Sequence, residues 1–387
     1  MSHATFAYIK LSHLIITIQI NPIIIFNNPI ILIGLSYIYD RIDMNIRQQK
    51  ILSIIQKQQP ISISEVGNIL AENISIPTLN RALSSLKQNG YLTVTGKGPS
   101  LKYSITISAM NFALIDADEY FKVDIEDRYV IEKFNRNIFK QFDSVEIFTA
   151  AENKLLETAT NTFIKKRNGL NKAAFKKEFE RLMIELSWKS SQIEGNTYTL
   201  LDTEQLLKYD IASSAYSKEE GIMLLNHKKA IEYSFENKED FKKINSSKII
   251  DIHSLLIKNL GVSKNVRTRL VRITGTKYLP PDNEFIIKEA LEEMCTLINK
   301  RKNIYEKAFL AILLISYIQP FEDGNKRAAR LVGNAILQAN NCCPLSYRSV
   351  TVTQYKKAIL LFYELNNLTS FKKIFRDQYL FAVENYF

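Results

Sequence analysis

Cysteine is scarce in this sequence: there are three in 387 residues, and two of them, Cys342 and Cys343, are adjacent. Three thiols make no disulfide framework, and none of the spacings suits a metal knuckle. A reducing, cytoplasmic setting is the natural expectation. Histidine is equally scarce. His3, His13, His227 and His253 are the whole supply, and none is near in sequence to the chemistry-bearing run described below. There is no internal repeat and no low-complexity tract. Acidic charge is in deficit, with 51 Lys and Arg against 40 Asp and Glu and a formal net charge of +11. That balance favours polyanionic partners such as nucleic acid, nucleotide phosphates or an anionic membrane surface. The plainer alternative is a lysine-rich composition spread evenly. With 46% hydrophobic residues, the chain is long enough to bury two cores.

Charge is also absent from Leu11 to Tyr39, where isoleucine dominates. The length would suit a membrane-spanning helix. Asn21-Pro22 and Asn27-Asn28-Pro29 interrupt it, and buried amides and missing donors are costly in lipid. A signal peptide is not supported either, because no compact apolar core precedes a small-residue cleavage site. Residues 1–43 therefore read as an atypical leader outside the native protein, with Met44 as the natural start and no membrane partner.

What is present begins with a small module, residues 44–107. Ile51, Leu52, Ile54 and Ile55 recur at helical spacing up to Pro60. A short helix follows through Val66 and Leu70. Ser75 then caps a third helix with Pro77 in its first turn, which turns Leu79, Leu83 and Leu86 inward. Asn89-Gly90 stops it. Tyr91–Thr95 and Leu101–Thr106 read as strands joined by Gly96-Lys97-Gly98-Pro99. This order resembles the winged helix-turn-helix domains of bacterial DNA-binding regulators. Residues 44–105 hold seven Lys and Arg against two Asp and Glu, a net +5. Arg81 and Lys97 are the expected phosphate contacts on DNA. A protein-docking module of the same shape remains the alternative.

Residues 108–144 read as a linker and 145–387 as a mainly α body. Val271–Leu279 alternates β-branched residues around Gly275, which suits a short hairpin. Ala308–Ile318 is an uncharged apolar helix. It ends at Gln319-Pro320, and then comes Phe321-Glu322-Asp323-Gly324-Asn325-Lys326-Arg327-Ala328-Ala329-Arg330 at the start of a second helix. Free amides and the positive end of the helix dipole make that start an anion site. Gly324 permits close backbone approach. Arg327 and Arg330, three residues apart, reach the same side, and their planar forks match phosphate oxygens. Asp323 can hold Mg²⁺. A charged helix cap with solvated arginines is the bland alternative.

The unbroken run Phe321, Asp323, Gly324, Asn325, Lys326, Arg327 and Arg330 resembles the Fic family motif, His-x-Phe-x-Asp/Glu-Gly-Asn-Gly/Lys-Arg-x-x-Arg. Trp188 to Asn196, with Ser190 and Glu194-Gly195, is similar to the family's inhibitory segment. Asn265–Asp282 is similar to the region through its target-aligning flap. The resemblance implies a helical Fic-type domain with a short β-hairpin flap, and transfer of AMP from ATP to a protein hydroxyl. It implies that Asp323 holds Mg²⁺ and that Gly324, Asn325, Lys326, Arg327 and Arg330 bind the phosphates. Ser190 and Glu194 would inhibit by engaging Arg330, and Thr274, Gly275 and Thr276 would line the flap. The implied partners are ATP, a protein target and a second copy of the chain. The departure is Gln319, which stands where the family has its catalytic histidine. An amide has no proton to exchange near neutral pH. Lys326 resembles the Doc-type members, which transfer phosphate. Three readings follow: a weakened adenylyltransferase, an inactive ATP-sensing DNA-binding regulator, and a Doc-like phosphotransferase.

Overall fold

The computed structural model describes residues 46–70 and 74–387. The isoleucine-rich leader 1–43 and the expected start at Met44 lie outside the described residues. The fold is mainly helical, with a small three-stranded antiparallel sheet near its beginning.

The first elements are α1 (Ile46–Gln58), β1 (Ile61–Ser62), α2 (Ile63–Leu70), α3 (Ile76–Gln88), β2 (Leu92–Thr95) and β3 (Lys102–Ile105). Ser75 caps α3 by accepting from Thr78 N–H, and Pro77 sits in the first turn, where its missing donor costs little. Leu79, Leu83 and Leu86 are buried along one stripe of α3. The sheet order is β1-β3-β2, with Leu92 opposite Ile105 and Val94 opposite Tyr103. Short strands of this kind depend on helices packed against one face.

Residues 108–144, read above as a linker, contribute directly to the body that follows. α4 (Ile107–Phe112) and α5 (Ala117–Tyr120) lead into an irregular stretch and α6 (Ile138–Asp143). Ile138, Phe139 and Phe142 enter the main core, and Asn367 and Leu368 bond the end of α4. Large apolar side chains in this stretch drive that packing; its mixed composition hid them.

The body consists of α7 (Ala150–Gly169), α8 (Lys172–Ile193), α9 (Leu200–Tyr209), α10 (Lys218–Glu236), α11 (Ser246–Leu256), α12 (Glu284–Lys300), α13 (Ile304–Ile318), α14 (Asn325–Ala339), α15 (Val352–Leu365) and α16 (Thr369–Asn385). α13 is apolar on all sides, and every residue from Ala308 to Ile318 is buried. α14 is amphipathic in sequence, yet it too is buried from Arg327 to Ala339. The two helices form the centre of the body and are joined by the short loop 319–324.

The flap takes a different form from the expected hairpin. Among the described residues, 265–283 contain no paired strands, only a turn at Thr274–Gly275 and one isolated parallel bridge between Leu279 and Lys133. The physical reason is where its backbone groups go. Arg267 Nη1 donates to the Arg269 carbonyl at 2.7 Å and Nη2 to the Pro281 carbonyl at 2.5 Å, while Leu279 N–H donates to the Glu132 carbonyl at 2.7 Å. Pro280 and Pro281 supply no donors for a ladder.

α13 and α14 approach closely at Gly333. A Cβ there would lie 2.5 Å from Ile312 Cγ1 and 3.2 Å from the Ala308 carbonyl. Alanine ordinarily favours a helix over glycine, by about 1 kcal/mol. Gly333→Ala should instead destabilise, by about 1–3 kcal/mol, because the packed core must shift. Urea unfolding measures this, and a stabilised variant would refute the close packing.

Candidate functional site

The loop leaves α13 through Gln319, which adopts the left-handed conformation, φ 50°. Its amide turns back into the body. Nε2 donates to the Ser316 carbonyl at 2.6 Å and to the Tyr363 hydroxyl at 3.4 Å. Its carbonyl accepts from Arg267 Nε at 2.6 Å, and Arg267 N–H donates to the Pro320 carbonyl at 3.0 Å. Asn325 closes the loop: Oδ1 accepts from Phe321 N–H and Nδ2 donates to the Phe321 carbonyl, each at 2.8 Å.

Phe321 is fully buried and stacks on the His253 ring, with centroids 3.6 Å apart. His253 Nε2 donates to the Asp323 carbonyl at 2.9 Å. Gly324, at φ 81°, sits at the start of α14, and a Cβ there would meet Ile257 at 3.3 Å and His253 at 3.4 Å. The left-handed conformation favours glycine at this position, and the space beside it is tight.

Arg327 and Arg330 project from α14 into the interior, 1% and 0% exposed. Arg327 Nη2 donates to Asp323 Oδ2 at 2.9 Å. Its Nε and Nη1 have no hydrogen-bond partner among the described residues. Arg330 Nε and Nη2 donate to Ser190 Oγ and the Ser190 carbonyl, at 2.9 and 2.8 Å. Nη2 also donates to Glu194 Oε1 at 3.0 Å, and the guanidinium lies 5.2 Å from the Tyr355 ring centre. Glu194 Oε2 accepts from Lys326 Nζ at 2.7 Å. One carboxylate at the end of α8 thus engages two cations of α14. Burial pushes the Glu194 pKa up, but Arg330 and Lys326 outweigh it and hold the carboxyl at about 2.

The donor set fits a polyphosphate. Nε and Nη1 of Arg327 and Nη1 of Arg330 are buried and unpartnered among the described residues. Such donors are costly until an acceptor reaches them, and phosphate oxygens match the fork. Asp323 offers one largely exposed carboxylate, and no cluster of three or more His, Cys, Asp or Glu forms among the described residues. One carboxylate shared with phosphate oxygens is a donor set that suits Mg²⁺.

The structure therefore brings together Gln319, Asp323, Gly324, Asn325, Lys326, Arg327, Arg330, Ser190 and Glu194. Thr274 and Gly275 are exposed and Thr276 is half-buried. Their segment reaches the end of α13 through Tyr278, whose hydroxyl donates to the Tyr317 carbonyl at 2.8 Å and whose ring stacks on Tyr317. Arg81 and Lys97 are exposed on α3 and on the turn between β2 and β3, outside this cluster.

Sequence reasoning missed His253, His227 and Arg267. His253 follows Ile249 by four and precedes Leu256 by three, which signals an inward face but not what it meets. Burial, followed by Arg327, pulls its pKa down to about 4 against the Asp323 hydrogen bond. His227 is fully buried, its ring nitrogens have no partner among the described residues, and burial with Arg330 and Arg327 depresses it strongly. No histidine is near the loop in sequence, yet His253 reaches it in space, where it packs under Phe321 as a structural residue.

Residues 243–337 match the Fic/DOC family. Protein adenylyltransferase Fic of Nematostella vectensis is 30% identical over 165 residues, covering 42% of this chain and 39% of that protein. A probable protein adenylyltransferase of Aquifex aeolicus is 28% identical over 118 residues, covering 30% of this chain and 36% of that one. The chain thus spans well under half the length of these curated relatives. A solved fragment of Fic-1 from C. elegans superposes with a TM-score of 0.54 at 19% identity, covering 61% of this chain and 72% of that one, which supports the fold. The likeness to the Fic/DOC family thus rests on residues 243–337, and the structural likeness on the fold.

Two depressed pKa values predict how stability depends on pH. The folded His253 value of about 4 lies below the ordinary 6.5, so its contribution is complete above about pH 6.5 and is lost as pH falls towards 4. His227 acts in the same direction. The folded Glu194 value of about 2 lies below the ordinary 4.5, so its contribution is lost as pH falls from about 4.5 towards 2. Urea midpoints should therefore decline in two stages on acidification. His253→Phe should flatten the first stage and Glu194→Gln the second; parallel pH profiles for all three proteins would refute the assignment.

Proposed function

We propose that this chain binds Mg-ATP at residues 323–330, is held inhibited by Glu194, and is an adenylyltransferase-type protein whose transfer step is crippled at Gln319. The observation that carries the reading is the pair of buried guanidiniums: Arg330 is engaged by Ser190 and Glu194, and Arg327 keeps two unpartnered donors among the described residues. In this reading Arg327, Lys326 and the amides around Gly324 and Asn325 bind phosphate. Asp323 holds Mg²⁺, which neutralises phosphate charge when bound. Glu194 competes with phosphate for Arg330 and Lys326, so inhibition is a contest for the same cations. Thr274 to Thr276 align the protein acceptor. Gln319 cannot take the acceptor's proton, and its amide is bonded to Ser316 and Tyr363 instead. Losing a general base commonly costs about 10²–10⁴-fold in rate.

A second reading is favoured by that same inward amide together with the first module. It takes the α1–β3 region as a winged helix on DNA and the helical body as its ATP sensor. A third rests on Lys326, the Doc-like residue, and gives transfer of the terminal phosphate. No helix among the described residues is long and apolar enough to cross a membrane. The cysteines are buried free thiols, in keeping with a cytoplasmic protein.

Labelled ATP separates the readings. With α-label, Gln319→His/Glu194→Gly should modify itself or lysate proteins, while the wild type labels about 10²–10⁴-fold more slowly. Label from γ-ATP alone would select the phosphotransferase, and no label from any variant would sink both transferase readings. Arg327→Ala should weaken Mg-ATP binding by about tenfold or more, from the loss of charged hydrogen bonds. For the DNA reading, Lys97→Ala and Arg81→Ala should each lower the salt slope of binding by about 1. Salt-independent or absent DNA binding would eliminate that reading.

A further inference from the structure

Residues 120–133 grip the segment 274–279 from outside, and the grip is anchored on a fully buried carboxylate. Arg128 Nη2 donates to the Gly275 carbonyl at 2.9 Å. Lys277 Nζ donates to the Glu126 carbonyl at 2.9 Å, and Leu279 N–H to the Glu132 carbonyl at 2.7 Å. On the other side, Arg128 Nη1 lies 3.7 Å from Glu364 Oε1, and Glu364 is 0% exposed. Tyr120 OH donates to Glu364 Oε2 at 2.7 Å, and Ile131 N–H donates to the Glu364 carbonyl at 2.8 Å. The Arg128 guanidinium also lies over the Phe121 ring, 4.9 Å from its centre.

One face of α15 completes the arrangement. Glu364 anchors residues 120–131, Tyr363 packs against Tyr278 at 5.5 Å, and a Cβ at Gly275 would lie 3.6 Å from Leu360. The segment 274–279 has no partner strand among the described residues; Tyr278 fixes it to α13 from within, Arg267 holds its root, and residues 120–133 hold it along its outer side. A planar guanidinium can face a carboxylate on one side and a carbonyl on the other; an ammonium cannot span both in a fixed geometry.

We propose that residues 120–133 form an internal brace that sets the 274–279 segment, with Arg128 as the positioning residue for the acceptor side of the site. That acceptor role rests on the adenylyltransferase reading above; the brace itself does not. The brace takes the Gly275 carbonyl and the Leu279 amide, so an acceptor must be read through Thr274, Thr276 and the remaining backbone groups. The segment that follows the small sheet module thereby also controls the acceptor side.

Hydrogen exchange on the full chain tests the brace independently of activity. Arg128→Lys keeps a cation beside Glu364 and loses the fork. Arg128→Met/Glu364→Gln removes both buried charges, which avoids leaving a carboxylate unpaired. Both should speed exchange at the hydrogen-bonded amides of the segment, Tyr278 and Leu279, by about tenfold, with amides of α13 and α14 unchanged. Both should leave the Mg-ATP dissociation constant within about twofold of wild type. In the Gln319→His/Glu194→Gly background, transfer of α-label at fixed ATP should fall by about tenfold. Wild-type exchange at Tyr278 and Leu279 in both variants would overturn the brace. Faster exchange with undiminished transfer would overturn the acceptor role. If the background itself transfers nothing, the failure belongs to the adenylyltransferase reading and the exchange result still decides the brace.

Discussion

Two guanidiniums on one buried helix face set the terms for everything around them. Arg327 and Arg330 leave α14 on a surface that excludes water, and an uncompensated buried cation is costly. Arg330 is compensated by α8, through Ser190 and Glu194. Arg327 is compensated only in part, by Asp323 from its own loop. The two cations are therefore unequal. Arg330 is held by a carboxylate, and Arg327 keeps buried donors without partners among the described residues. The contact between Glu194 and α14 joins two helices through charge.

The loop between α13 and α14 is held by side chains more than by backbone pairing. Asn325 bridges to Phe321, Phe321 stacks on His253, and His253 donates to Asp323. Arg267 fastens Gln319 and Pro281 from the opposite side. Small errors in such a loop would move Asp323 relative to Arg327 and break their ion pair. Gln319 takes part in the same scaffold with its amide bonded to Ser316. The residue is well built for holding the loop and poorly built for moving a proton.

Much of this was legible in the residues. The stripe Leu79, Leu83 and Leu86 and the cap at Ser75 gave α3, and the uncharged run 308–318 gave a fully buried α13. The spacing of Asp323, Gly324, Arg327 and Arg330 put these residues at one helix start, and the pairing of Glu194 with Arg330 was expected from the sequence and is present. The expected hairpin at 271–279 failed for a physical reason: period-two alternation describes which faces are apolar, and says nothing about whether a neighbouring strand exists. The segment found a guanidinium and the chain 126–133 instead. His253 and Arg267 were unreadable because their partners are carbonyls, which every residue carries.

The sequence by itself determined the chemistry on offer: which charges, which helix start, which glycine and which amide at position 319. Those depend on side-chain identity and on spacings of three or four residues, and local geometry fixes both. Only the tertiary structure decided who meets whom across long separations. It alone added Lys326 to the partners of Glu194, put His253 beneath the loop, and set Arg128 between Gly275 and Glu364, because such contacts arise from the packing of whole helices and leave no periodic trace along the chain.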